Sequence, residues 1–215
     1  ENFFDILRDE FDVHEDIRQD IVETIQDLYN ILLGMDVEKN QFTASLCEVV
    51  AYTAFYKVLK RKKIVLEDIG YILHKGYILS LNADKRRLAD LTARGSFVFS
   101  EEHKRNVKIS AESSRKILYK DGYIVDYVAG DGKEFDLGTN TYQCPVERFC
   151  QYCDAREFLR YICALDFINS EYMKSGLVRK KCLADHDEYC ELRWKQGEMP
   201  DPRINLTNLK RDVKR

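Results

Sequence analysis

The stretch "AREFLRYICALDFINSEYM", residues 155–173, reads as an amphipathic helix with Asp166 in the middle of its apolar run. Cys163 lies three positions earlier, so thiol and carboxylate project from the same helix face. A charge set among Ile162, Leu165, Phe167 and Ile168 needs a partner, a ligand or a water-filled cavity. The helix is flanked on both sides by segments of a different period, and that flanking pattern decides the fold.

Before it, "GYIVDYVAGDGKEFDLGTNTYQC" alternates around Asp131-Gly132, a hairpin turn signal. After it, "GLVRKKCLADHDEYCELRWKQ" reads as a second hairpin turning between Asp185 and Glu188. The helix, entered through Pro145 and a short turn near Asp154, is therefore expected to lie across an antiparallel sheet in the order β-β-α-β-β. The first half is helical. "VHEDIRQDIVETIQDLYNILLG" places Ile17, Ile21, Ile25, Leu28 and Leu32 on one stripe and ends at Gly34. "TASLCEVVAYTAFYKVLKRK" is apolar around most of its circumference and reads as a buried central helix. Further helices fit "LEDIGYILHKGYILSL", "ADKRRLADLTARG" and residues 100–119. The expected fold is α+β in a single domain over 1–215: a helical half to 120, a sheet with its long helix over 121–197, and a tail over 198–215. That tail, "PDPRINLTNLKRDVKR" with its Met199 neighbour before it, reads as an arm or a short helix.

Composition narrows the function classes. The chain has 215 residues, 45% hydrophobic and 33% charged, which suits a well-packed globule rather than a disordered chain. A net charge of -3 gives no general reason to expect nucleic acid as a partner. The basic run "KVLKRKK" (57–63) suits the carbonyl end of a helix. No apolar run approaches the roughly eighteen residues of a membrane span. No signal peptide is visible, and reduced thiols in a cytoplasm are the expected state of the seven cysteines. The Asn205-Leu-Thr207 sequon then carries no meaning.

Cysteines crowd into residues 144–190. Cys150-x-x-Cys153 has knuckle spacing, and Cys144, Cys163, His186 or Cys190 could complete a zinc or iron–sulfur set. The competing reading is that most are small buried hydrophobes and that no cofactor is resident. Asp166 has candidate ion-pair partners in Arg160, Arg179 and Arg193. If Arg179 and Arg193 point inward from their strands, carboxylate, thiol and guanidinium share one site. Such a set suits a small zwitterion, with the carboxylate on an amidinium and an Arg fork on a carboxylate. A partly desolvated Asp can act as general base, and a low-pKa thiol as nucleophile. No Gly-rich phosphate loop, GxSxG elbow or HExxH is present.

Cys144-Pro145, Cys163-x-x-Asp166, Gly176, Arg179 and Cys190-Glu191-Leu192-Arg193 together resemble the C-terminal pattern of the L-2-amino-thiazoline-4-carboxylic acid hydrolase-like family. The segment "EVVAYTAFYKVLKRKKIVLEDIGYIL" is similar, more loosely, to that family's N-terminal part. The resemblance implies an α+β domain related to vinyl-reductase-type and Bet3-like ligand-binding domains. It also implies a hydrolase that opens the thiazoline ring toward a carbamoyl-cysteine, without a cofactor. Cys163 and Asp166 would then be catalytic, and Cys144, Arg179, Cys190 and Arg193 would bind a small-molecule substrate. The chain departs from the pattern in "RKKCLADHDEYC", where Cys182 intrudes on a strand, and in Leu192, which replaces an aromatic. A lipid-binding or sensor module is the non-catalytic alternative. Antiparallel strands and exposed helices leave room for a homodimer.

Overall fold

The computed structural model describes residues 2–38 and 46–201. The expected terminal arm beyond Asp201, with its sequon, lies outside the described residues, as does the Thr43–Ser45 start of the central helix.

The helical half holds α1 (Asn2–Phe11), α2 (Arg18–Leu33), α3 (Leu46–Arg61), α4 (Leu66–Ala83), α5 (Lys85–Phe97) and α6 (Glu101–Lys116). Helix α1 was not anticipated; it packs Phe3 edge-on against Phe55 of α3, with ring centroids 5.5 Å apart. Of the stripe expected on α2, Ile17 just before it and Leu28 within it are buried. Helix α3 is buried around much of its girth, through Val49, Val50, Ala54, Tyr56, Val58 and Leu59, as its composition predicts. Local signals set the starts of the next two helices. The Asp84 carboxylate accepts the N–H groups of Arg86 and Arg87 at 3.1 and 3.0 Å, and Ser100 Oγ accepts that of His103 at 3.1 Å.

The second half is an antiparallel sheet of β1 (Ile124–Ala129), β2 (Leu137–Gln143), β3 (Val178–Arg179) and β4 (Cys190–Trp194) in the order β1-β2-β4-β3. The two expected hairpins thus join through β2 and β4, and the fold is α+β. The first turn is wider than a two-residue turn. Asp131 Oδ1 accepts the N–H groups of Lys133, Glu134 and Phe135, and Gly132 takes a φ of 71°. Between the hairpins the chain forms two helices, α7 (Pro145–Tyr152) and α8 (Leu159–Met173), where one was expected. Pro145 opens α7, where its missing N–H costs nothing. Asp154, with a φ of 50°, turns the chain toward α8.

Helix α6 lies along β1. Ser114 Oγ accepts the Val125 N–H at 3.0 Å and donates to the Ala111 carbonyl at 2.7 Å, so a group on the outer edge of β1 is satisfied inside the protein. Helix α8 is seated by two close approaches. A Cβ at Gly70 of α4 would stand 2.0 Å from the Tyr161 ring, and one at Gly95 of α5 would stand 2.2 Å from the Met173 carbonyl. One apolar core runs from α1 through α8 to Cys190.

The sheet has two unlike faces. Thr139, Thr141, Cys190 and Leu192 are paired across β2 and β4 and look toward α8. Asn140, Glu191 and Arg193 occupy the alternate positions and bond one another on the other face.

Candidate functional site

Between α8 and the inner face of the sheet lies a cavity of about 200 Å³. Cys163 and Asp166 form part of its α8 wall, Cys144 stands where β2 gives way to α7, and Arg179 and Cys190 come from β3 and β4. The exposed Glu48 of α3 lies at its rim, beside Tyr52 and Tyr77. Five of the six expected site residues therefore converge.

Arg193 does not. Its guanidinium donates to the Thr139 and Leu192 carbonyls at 3.0 and 2.8 Å and to Asn140 Oδ1 at 2.9 Å, and it covers the Phe135 ring on the opposite face. Register explains the correction. Arg179 pairs with Leu192, so the two share a face and Arg193 takes the other. The Glu191 N–H, however, bonds the Lys181 carbonyl, so β3 gains one residue near Lys180. An unbroken register would have set Arg179 opposite Arg193 on one side; the extra residue separates them.

Arg179 is the hub of the site. Nη1 donates to Asp166 Oδ2 at 3.0 Å, Nη2 donates to the Cys163 carbonyl at 2.9 Å, and the guanidinium lies 4.7 Å from the Phe167 ring centroid. Its Nε is buried with no hydrogen-bond partner. The side chain is 5% exposed, whereas that of Asp166 is 55% exposed. Asp166 also lines the cavity, so its carboxylate is open to what enters there. Burial pushes the Asp166 carboxyl above its ordinary value, with Arg179 opposing. Among the described residues no hydrogen bond reaches its Oδ1, which leaves that oxygen for a ligand.

Behind the cavity wall stands a thiol that the sequence reading treated as an intrusion. Cys190 Sγ lies 3.8 Å from Cys182 Sγ, and the Leu183 N–H donates to Cys190 Sγ at 3.2 Å. Donation from Cys163 and Cys190, with help from Arg179 and the Ala184 N–H, pushes Cys182 far below the ordinary thiol range. Cys163 and Cys190, as the donors, are pushed up. The surroundings thus favour the charged form at Cys182 over Cys163 and Cys190. A signal for this was present: Cys182 and Cys190 sit symmetrically about a turn centred on His186.

Cys144 receives a hydrogen bond from the Tyr123 hydroxyl, and burial pushes it up to about 11. Two further contacts shape the rim: Tyr77 Oη donates to Asn169 Oδ1 at 2.7 Å, and Tyr52 Oη donates to Glu48 Oε2 at 3.3 Å. None of these four rim residues was anticipated.

Cys150 and Cys153 do not line the cavity. They are buried beside α3, and burial pushes them up to about 12 and about 11. His186 is exposed at the turn with a φ of 66°. Among the described residues no group of three or more His, Cys, Asp and Glu side chains is placed to hold a metal ion. Nor is any helix among them long and apolar enough to cross a membrane.

No protein-family model, curated protein or solved structure matches this chain.

Proposed function

We propose that the chain is a hydrolase of a small amidine-like substrate, of the kind represented by 2-amino-thiazoline-4-carboxylate. The observation that carries this reading is the convergence of Cys163, Asp166 and Arg179 on one cavity of about 200 Å³. That volume lies below the ~300–1,000 Å³ of drug-sized pockets and favours a compact ligand over an extended lipid. Asp166 Oδ1 accepts from the amidine nitrogens, while Arg179 holds the carboxylate in place through Oδ2. Cys163 attacks the amidine carbon as its proton moves to an amidine nitrogen, so the carbon–sulfur bond forms while the C=N bond opens. A ring bond from that carbon to sulfur or nitrogen then breaks, and the departing heteroatom takes up a proton. Water releases the carbon from Cys163, so the net change is the addition of one water. Arg179 is engaged by Asp166 and Arg193 is remote, so neither is assigned to a substrate carboxylate.

The test is turnover of 2-amino-thiazoline-4-carboxylate and of acyclic isothioureas, followed as thiol or ammonia release. Asp166→Asn and Cys163→Ala are expected to abolish it while far-UV circular dichroism stays native. Wild-type rates in either folded variant would remove that residue from the mechanism. If the wild-type chain binds such amidines by calorimetry and never turns them over, the binding-module reading replaces the hydrolase.

A further inference from the structure

The hydrolytic reading gives Cys182 no role and Cys190 none beyond lining the wall. Their placement supports more. Both lie at the base of the β3–β4 connection, facing each other across it next to the Glu191-to-Lys181 backbone bond. The loop between them is pinned: Cys182 N–H donates to Asp187 Oδ2 at 2.7 Å, and the Asp187 N–H donates to the Cys182 carbonyl at 3.2 Å. The two sulfurs, 3.8 Å apart, are held as near neighbours and have to close to the ~2.05 Å of a disulfide. Cys190 is also part of the cavity wall, which gives a small oxidant a route to the pair.

We propose that Cys182 and Cys190 form a dithiol redox centre that a hydroperoxide converts to a disulfide. The Cys182 thiolate attacks one peroxide oxygen, giving a sulfenic acid and releasing hydroxide or alkoxide. The Cys190 sulfur then attacks the Cys182 sulfur. The sulfenic hydroxyl leaves with the Cys190 proton as water, and the hydroxide or alkoxide of the first step takes its proton from solvent. In sum, two thiols and one hydroperoxide give a disulfide, water and the corresponding alcohol or water. Each sulfur gives up one electron, and the peroxide bond accepts two. The electrostatics agree with these roles, since Arg179, the Ala184 N–H and two S–H donors favour the charged form of Cys182. Oxidation consumes the thiol whose charged form Arg179 favours and joins it to Cys190 of the cavity wall, so the state of the pair is felt in the cavity.

The experiment needs no substrate and stands apart from the hydrolase reading. The reduced full chain is treated with a small excess of hydrogen peroxide, quenched with an alkylating agent and analysed by intact mass and peptide mapping. The expected result is loss of two hydrogens, a Cys182–Cys190 linked peptide, and full reversal by dithiothreitol. The link should persist in Cys153→Ser and vanish in Cys190→Ala, where Cys182 is instead recovered as a sulfenic adduct trapped by dimedone. A link between Cys150 and Cys153, overoxidation of Cys182 without a link, or six unmodified thiols between 144 and 190 would each overturn the proposal.

Discussion

Cys150 and Cys153 in and after α7 are buried in the same protein interior as Cys182 and Cys190 around the second hairpin, yet their surroundings act on the two pairs differently. Around α7, burial is the largest influence, and both thiols are pushed up and stay neutral. At the hairpin, burial is outweighed by donors aimed at one sulfur, and Cys182 is pushed down instead. Burial alone silences an ionisable group; burial with donors selects which member of a cluster is charged. The CxxC spacing picks out the first pair in the sequence, but only the second pair belongs to the cavity.

The largest expected effect tests whether the cavity side is where chemistry occurs. Asp166→Asn or Cys163→Ala should lower turnover by about 10²–10⁴-fold. Cys153→Ala should stay within about twofold, since it deletes a buried methylene-sized group away from the cavity. Equal losses in steady-state assays would erase the distinction between the pairs.

Next in size is the ion pair. Removing one partner of a buried pair costs about 3–5 kcal/mol, and the cavity around Asp166 places Arg179→Met near 3 kcal/mol. Arg193→Met, on the polar face, should cost about 1 kcal/mol. Urea unfolding midpoints read both, and the comparison fails if the two variants are equally stable.

His74 sharpens the case of burial alone. Its Nε2 lies 2.7 Å from the Tyr161 carbonyl, its Nδ1 is buried without a partner, and burial lowers its pKa to about 4. The folded value lies below the unfolded one, so the unfolded chain takes up the proton first as pH falls. Stability from this group is whole above pH ~6.5 and declines toward pH ~4, by on the order of 2–3 kcal/mol. His74→Gln should flatten that part of the curve in pH-dependent urea melts; an unchanged slope would mean the imidazole is not held neutral.

The smallest effect is one of rate. In a Cys47→Ser background, limiting iodoacetamide at neutral pH should label Cys182 or its donors about tenfold faster than Cys150 and Cys153. Time-resolved peptide mapping reads this directly, and equal labelling would show that the charge is not localised at the hairpin.

Much of this site was legible because it rests on short-range periodicity. Cys163 and Asp166 are three apart on one helix, and Asp166 interrupts an apolar run, so their common face and the need for a cavity or partner follow from helix geometry. The N-terminal helices were equally plain, except α1, whose short length offers little periodic signal. Arg193 was misplaced because it stands three residues from Cys190 on one strand and so faces the other side. The extra residue near Lys180 decides only that Arg179 joins the Cys190 face. Cys182 was passed over as a strand defect, although its symmetry with Cys190 about the turn was visible. The turn near Asp154 was read, but the eight residues of α7 before it are too few to show a helical period.

The two close approaches that seat α8 bear on how this cavity could change over generations. Gly70 and Gly95 touch α8 near its two ends, at Tyr161 and Met173, and neither lines the cavity. A methyl group at either position would have to push α8 aside, and the far wall of the cavity is the sheet. The width of the cavity is thus governed from behind, by the absence of two side chains on α4 and α5. Ligand size can therefore drift through substitutions in the helical half while every residue that touches the ligand stays the same.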